Sequence, residues 1–172
     1  MTAADLEDLA ASPETPFPEE ARLPGIVTRI GESDLPEGCT RRLWAWWAAA
    51  ARQGRPPRRE DFDPVEFPRI LGNITIFDVE RDPWRFRVRL VGTRIVEETD
   101  RDTTGVYLDE LENAGPIALR ARWVAENRRP YYLPQAPVVW TSRDFKHYAT
   151  LALPLVDATG ETGMILYHMD FF

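Results

Sequence analysis

The segment of residues 84–92 constrains the fold of this chain more than any other. In it, Phe86, Val88 and Leu90 alternate with three arginines, which is the period of a β-strand with one apolar and one cationic face. The strand is predicted to end at the glycine that closes this segment, and an Asp-Thr-Thr-Gly turn then ends at Gly105. A strand, a glycine, a short helix and a turn therefore follow one another within about twenty residues.

Length and composition limit the class of protein. A chain of 172 residues supports one domain with a buried core. The longest apolar run, residues 44–51, is too short to span a bilayer, and no secretory signal begins the sequence. The single cysteine, Cys39, excludes an internal disulfide, so a cytoplasmic location is expected. Almost all basic residues are arginines, a bias that is typical of a GC-rich bacterial genome.

The net charge of −7 belongs to the N-terminal segment. Residues 1–40 hold nine acidic residues and two arginines, whereas the rest of the chain has no net charge. Residues 1–36 are also rich in proline and are predicted to be a largely irregular extension, with a short helix at Ala3–Ala11. An acidic segment of this type is usually a solvated extension, and contact with a basic partner is the alternative.

A tryptophan-rich helix is predicted after this extension. With the arginine-rich connection that follows it, the helix occupies residues 37–59, and the main domain occupies residues 60–172. Apolar side chains cover most of the circumference of the helix, so it must pack either against the sheet of its own domain or against a second copy. For a homodimer, the predicted interface residues are Leu43, Trp44, Trp46 and Trp47.

The periodicity of the main domain predicts two strands, a helical middle and three more strands. The strands are expected over residues 73–80, 84–91, 130–140, 145–156 and 163–172, and the helices over residues 93–99 and 116–127. Pro134 and Pro137 place the third strand at a sheet edge or a bulge. Asp63 before Pro64 predicts the capped start of a short helix.

Several of these features together resemble the stand-alone bacterial PAS domain family that is typical of alphaproteobacteria. They are the tryptophan-containing helix, Asp63-Pro64, the strand end Arg89–Thr93, the turn Arg101–Gly105 and the Pro-Leu-Val segment after Leu153. The resemblance covers about residues 38–172 and implies an α+β PAS fold, a five-stranded antiparallel sheet with helices on one face. It also implies a non-enzymatic sensory or interaction module that acts through self-association and contacts with an unidentified signalling protein.

The resemblance directs the search for a ligand. Haem-binding PAS domains use a histidine on the long helix, and residues 116–127 contain none; flavin photosensors need a reactive cysteine, and residues 40–172 contain none. No cofactor is therefore predicted. The choices left are a small apolar or amphipathic ligand between sheet and helices, or a fully packed core. The expected lining residues are Val88, Leu90, Tyr107, Trp123, His147 and Tyr167.

The sequence offers little support for catalysis or metal binding. His147 and His168 are the only histidines and have no third metal ligand at a suitable spacing, and Cys39 precedes the domain. The alternative hypothesis is a small α+β cone-fold enzyme, similar to nuclear transport factor 2, in which His147 and a carboxylate such as Asp102 or Asp170 share a deep pocket. The predicted order of elements fits that fold poorly.

The cationic face of the second strand has two interpretations. Arginines at positions 85, 87 and 89 suit phosphate contacts and hence nucleic acid. However, the domain has no net charge, and Asp78 and Glu80 lie on the neighbouring strand, so cross-strand ion pairs are the simpler explanation. Neither a nucleic-acid nor a membrane partner is predicted.

Overall fold

The fold is built on one antiparallel sheet. The computed structural model describes residues 14–142 and 145–172, so the predicted helix at Ala3–Ala11 lies outside the described residues. Five strands pair in the order β2-β1-β5-β4-β3. They are β1 (Ile74–Glu80), β2 (Arg85–Val91), β3 (Tyr131–Pro137), β4 (His147–Val156) and β5 (Thr162–Phe171). The main helices are α1 (Cys39–Ala51), α2 (Thr93–Thr99) and α3 (Gly115–Asn127). The predicted α+β PAS fold is confirmed.

The strand pairing follows the predicted turns and breaks. β1 and β2 form an antiparallel hairpin, and β4 pairs with β5 over almost its whole length. The proline-containing strand β3 lies at the sheet edge, as predicted, and its register shifts between Leu133 and Ala136. Val27 exchanges two backbone hydrogen bonds of 2.8 Å with Tyr132, and so covers part of that edge.

The two faces of the sheet carry different helices. On the outer face, α1 packs against alternate residues of β4 and β5 such as Leu151, Leu153 and Leu166. Trp47 Nε1 donates a 2.8 Å hydrogen bond to the carbonyl oxygen of Pro154. On the inner face, α2 and α3 cover the other set of residues, which includes Tyr167. The tryptophan-rich helix therefore packs against its own sheet, one of the two arrangements that the sequence left open.

This packing buries most of the residues that are predicted to form a dimer interface. Leu43, Trp44 and Trp47 are buried in the outer core of their own chain, and only Trp46 is partly exposed. Trp46 packs edge-on against Phe62, with ring centroids 5.5 Å apart. Three of the four predicted interface residues are thus buried within their own chain.

The described part of the N-terminal extension is irregular, yet it packs on the domain. We call residues 14–27 the N-terminal strap. Phe17 of the strap packs on Trp123 of α3, with ring centroids 5.1 Å apart, and Trp123 Nε1 donates a 2.8 Å hydrogen bond to the Thr15 carbonyl oxygen. The strap therefore lies over α3 and leads to the edge of β3, where it forms the bridge at Val27.

A bulge in β2 changes which residues face inward. Phe77 pairs with Val88 but Ile76 pairs with Leu90, so Arg89 is an extra residue in the ladder. Beyond it the alternation is inverted, and Leu90 is 42% exposed. The prediction that Phe86, Val88 and Leu90 form one apolar wall is therefore wrong for Leu90, because a one-residue shift moves a side chain to the opposite face.

Candidate functional site

The candidate site is a small cavity between the inner face of the sheet and the helices α2 and α3. Its volume is about 50 Å³, which is space for about three or four water-sized groups. Its lining is almost entirely apolar or aromatic, with three threonines. The lining residues are Thr75, Phe77, Val88, Val91, Ile95, Thr103, Leu108, Leu111, Ile117, Tyr131, Trp140, Tyr148, Thr150, Tyr167 and Met169.

The structure brings two of the six predicted lining residues to this cavity. Val88 and Tyr167 line it, from β2 and β5 respectively. Leu90 does not, because the bulge in β2 turns its side chain outward and gives its place to Val91. Trp123 is buried on the inner face but packs against Phe17 of the N-terminal strap rather than lining the cavity.

Tyr107 lies outside the cavity, on the surface beside β2. Its hydroxyl donates a 2.8 Å hydrogen bond to Glu80 Oε1, and the guanidinium carbon of Arg85 lies 3.6 Å from the centre of its ring. The bond to Glu80 is the main reason that the pKa of Tyr107 is raised. Tyr107 therefore belongs to a surface network of charged residues.

His147 lies on the wrong side of the sheet for the predicted role. It shares the alternate positions of β4 with Ala149 and Leu151, as predicted, but those positions face α1. Its ring stacks on that of Phe172, with centroids 6.3 Å apart. The cone-fold alternative also fails at the level of topology, because the strand order and helix placement are those of the PAS fold.

A buried arginine that the sequence reasoning missed lies behind the cavity wall. Arg120 of α3 is only 3% exposed, and its Nη1 donates a 3.0 Å hydrogen bond to the Ala21 carbonyl oxygen of the strap. Its position was readable from the helical period, because it lies three residues after Ile117 and four before the buried Val124.

Three buried tyrosines surround this arginine. Tyr131, Tyr148 and Tyr167 come from three different strands and all line the cavity. Burial raises the pKa of each of these hydroxyl groups. Burial acts to lower the pKa of Arg120, but interactions with these tyrosines, which include a hydrogen bond with Tyr131, oppose that effect and the pKa is raised. The cluster thus combines one fixed positive charge with neutral hydroxyl groups.

Hydroxyl groups on the cavity wall differ in whether they have a hydrogen-bond partner. Thr75 Oγ1 donates a 2.7 Å hydrogen bond to the Leu90 carbonyl oxygen. Thr150 Oγ1 is buried and has no hydrogen-bond partner among the described residues. Tyr167 Oη lies near Tyr131 but also lacks a partner of normal geometry there. Buried hydroxyl groups usually have partners, so these two mark the part of the wall where a polar group would bind.

The arginines of β2 form surface ion pairs. Arg85 makes two hydrogen bonds of 2.6 and 2.7 Å to Asp109, and it lowers the pKa of that carboxyl group. Arg89 lies 3.2 Å from Asp78 on β1, which confirms the predicted cross-strand pair. Arg87 Nε donates a long 3.5 Å hydrogen bond to the Gly105 carbonyl oxygen. Two of the three arginines are therefore neutralised locally.

Two searches of the described residues bear on other kinds of function. Across residues 14–142 and 145–172, no three histidine, cysteine or acidic side chains are grouped to hold a metal ion. In the same ranges, no helix has the length and apolar character needed to cross a membrane.

Comparison with known proteins identifies the family. The model of the PAS domain family matches residues 36–131, which is more than half of the chain. The match begins just before α1 and ends at the first residue of β3, so it contains α2, α3 and the hairpin that forms one wall of the cavity. A search of curated proteins finds no match to this chain.

Proposed function

The chain belongs to the PAS domain family, and we propose that its cavity binds a small apolar or amphipathic ligand whose presence alters contacts with other proteins. PAS domains are typically non-enzymatic sensory and interaction modules. The observation that carries the proposal is the apolar cavity on the inner face, whose wall includes a Thr150 hydroxyl group with no hydrogen-bond partner in the described part of the chain. A mostly apolar cavity with a few directed polar groups is the usual form of a small-molecule site.

The N-terminal strap offers a route from this cavity to the surface. Phe17 packs on Trp123 and, with ring centroids 6.2 Å apart, on Tyr131 of the cavity wall. Ala21 accepts the hydrogen bond from Arg120. A ligand that moved Tyr131 or Arg120 would therefore act directly on the strap, and the strap in turn is exposed to partners on its other side.

The ligand part of the proposal is tested with two substitutions on one strand. Val88→Phe adds a ring at the cavity wall, whereas Leu90→Phe adds the same ring at an exposed position of β2. Native mass spectrometry of freshly purified protein is expected to find a non-covalently retained small molecule in the wild type and in Leu90→Phe, but not in Val88→Phe. Wild-type protein without any retained mass, or equal retention in both variants, would contradict ligand binding.

Self-association through α1 is the second part of the proposal. With Leu43, Trp44 and Trp47 buried, the face that is available for a second copy contains Ala45 and Ala49 beside the partly exposed Trp46. Ala49→Glu changes this face without touching the core. Sedimentation analysis is expected to give a dimer for the wild type and a monomer for Ala49→Glu. Monomeric wild-type protein would contradict self-association.

A further inference from the structure

Arg120 carries a positive charge that no acidic residue in the described part of the chain neutralises. A guanidinium stays protonated even when buried, and buried charges are normally paired. The other buried arginine, Arg129, follows this rule, because its Nη1 lies 3.7 Å from Glu14 Oε2. Among the described residues, the Ala21 carbonyl oxygen accepts a 3.0 Å hydrogen bond from Arg120 Nη1, and Arg120 Nε has no partner.

Several groups that can donate hydrogen bonds lie together around Arg120. The hydroxyl groups of Tyr131 and Tyr148 lie against its guanidinium, and both tyrosines line the cavity. Thr150, which neighbours Tyr148 on the same side of β4, adds a buried hydroxyl group that has no partner in residues 14–142 and 145–172. An anion accepts hydrogen bonds only, and this cluster consists of groups that can all donate one.

A groove connects this cluster to the surface. The groove has a volume of about 130 Å³ and lies between the strap, α3 and the end of β3. Arg120 lines the groove, and Ile117 and Tyr148 line both the groove and the cavity. A ligand whose charged end occupied the groove at Arg120 and Tyr148 would direct its apolar end at the wall that the groove shares with the cavity.

We propose that the ligand of this domain is a small amphipathic carboxylate, with Arg120 as the residue that recognises its charge. The inference deepens the proposed function and rests on it. A carboxylate is favoured because its planar pair of oxygens matches the donors of a guanidinium, and because the groove and cavity together admit only a short chain.

Two matched probes test the charge. Sodium butyrate and butyramide have the same number of non-hydrogen atoms, but only butyrate is charged. In titrations followed by ¹H–¹⁵N correlation spectra, the backbone resonances of Tyr148, Thr150 and Tyr167 are expected to shift with butyrate at concentrations at least about tenfold lower than with butyramide, a difference of about 1.4 kcal/mol.

Variants of two arginines on α3 assign that preference to one residue. Arg120→Gln is expected to abolish the preference for butyrate. Arg122→Gln is expected to preserve it, because Arg122 is surface-exposed and pairs with Glu126 at 2.8 Å. Should Arg120→Gln fail to fold, Arg120→Lys keeps the charge and is expected to retain a reduced preference, while Thr150→Val is expected to weaken butyrate binding more than butyramide binding.

The outcomes separate this inference from the proposed function. Equal binding of the two probes, or a preference unchanged in Arg120→Gln, would overturn the role of Arg120 while leaving a ligand-binding module. If neither probe binds a wild-type protein that retains some other small molecule, the role of Arg120 is likewise overturned and the ligand-binding function is retained. Failure of both probes together with the absence of any retained mass would overturn the inference and the proposed function alike.

Discussion

The outer and inner faces of the sheet are made by the same strands but packed in different ways. On the outer face, Leu151, Leu153 and Leu155 of β4 meet α1, and each is almost completely buried. On the inner face, the alternate positions of the same strand are Tyr148, Thr150 and Ala152, of which Tyr148 and Thr150 line the cavity. One strand thus supplies a branched aliphatic layer to one side and hydroxyl groups to the other.

We interpret this difference as a division of roles, in which the outer face mainly stabilises the fold and the inner face is the side available for a ligand. Close-packed aliphatic and indole groups contribute stability in proportion to the apolar area that they bury. Buried hydroxyl groups and an unneutralised arginine cost stability unless something binds them. We therefore expect substitutions on the outer face to change the free energy of unfolding. Apolar substitutions of inner-face polar groups that lack a partner among the described residues should change ligand binding more than stability.

The largest effect is expected at the centre of the outer face. Trp47→Ala removes a fully buried indole and its hydrogen bond to the Pro154 carbonyl oxygen. Loss of a buried aromatic side chain costs about 3–5 kcal/mol, and urea denaturation should detect a decrease of that size in the free energy of unfolding. Trp46→Ala, at a partly exposed position of the same helix, is the control and should cost clearly less. Equal losses would mean that α1 does not pack as described.

The elements of the sheet were predictable because their signals are local. Alternation, the glycines and the prolines gave all five strands and the edge position of β3, and the helical period gave α1, α2 and α3. The bulge at Arg89 was not predictable, since β2 has no glycine or proline at that point to mark a break in its alternation. Consequently, Val91 lines the cavity where Leu90 was predicted to do so.

The candidate site was less predictable than the fold for a different reason. Alternation along β4 correctly grouped His147 with Ala149 and Leu151, but it cannot tell which helix covers which side of a sheet. Arg120 was detectable from its helical position between Ile117 and Val124. A pattern of apolar residues does not identify such a position, because a long polar side chain on a buried stripe is an exception to the usual burial preferences.

A matched pair of threonines on the inner face is expected to give changes of intermediate size in the free energy of unfolding. Thr75 and Thr150 both line the cavity, but among the described residues only Thr75 has a hydrogen-bond partner, the Leu90 carbonyl oxygen. Thr75→Val should lower the free energy of unfolding by about 1 kcal/mol. Thr150→Val removes an unpartnered hydroxyl at nearly constant volume and should leave stability unchanged or raise it by up to about 1 kcal/mol. A loss in Thr150→Val as large as that in Thr75→Val would show that Thr150 has a structural partner.

The smallest effect is expected from pH, through the one buried histidine of the outer face. His168 lies with Nδ1 3.2 Å from Thr40 Oγ1; burial lowers its pKa, and the charge of Asp170 partly opposes that shift. The unfolded chain, with an ordinary histidine pKa of about 6.5, therefore binds the proton more readily than the folded chain does. The contribution of His168 to stability is complete above that pH and decreases as the pH falls towards the lowered pKa.

Urea denaturation from pH 8 to about pH 5 should thus show a steeper loss of unfolding free energy for the wild type than for His168→Gln, whose amide does not titrate. Parallel curves would mean that the imidazole on this face is as accessible to protons when folded as when unfolded.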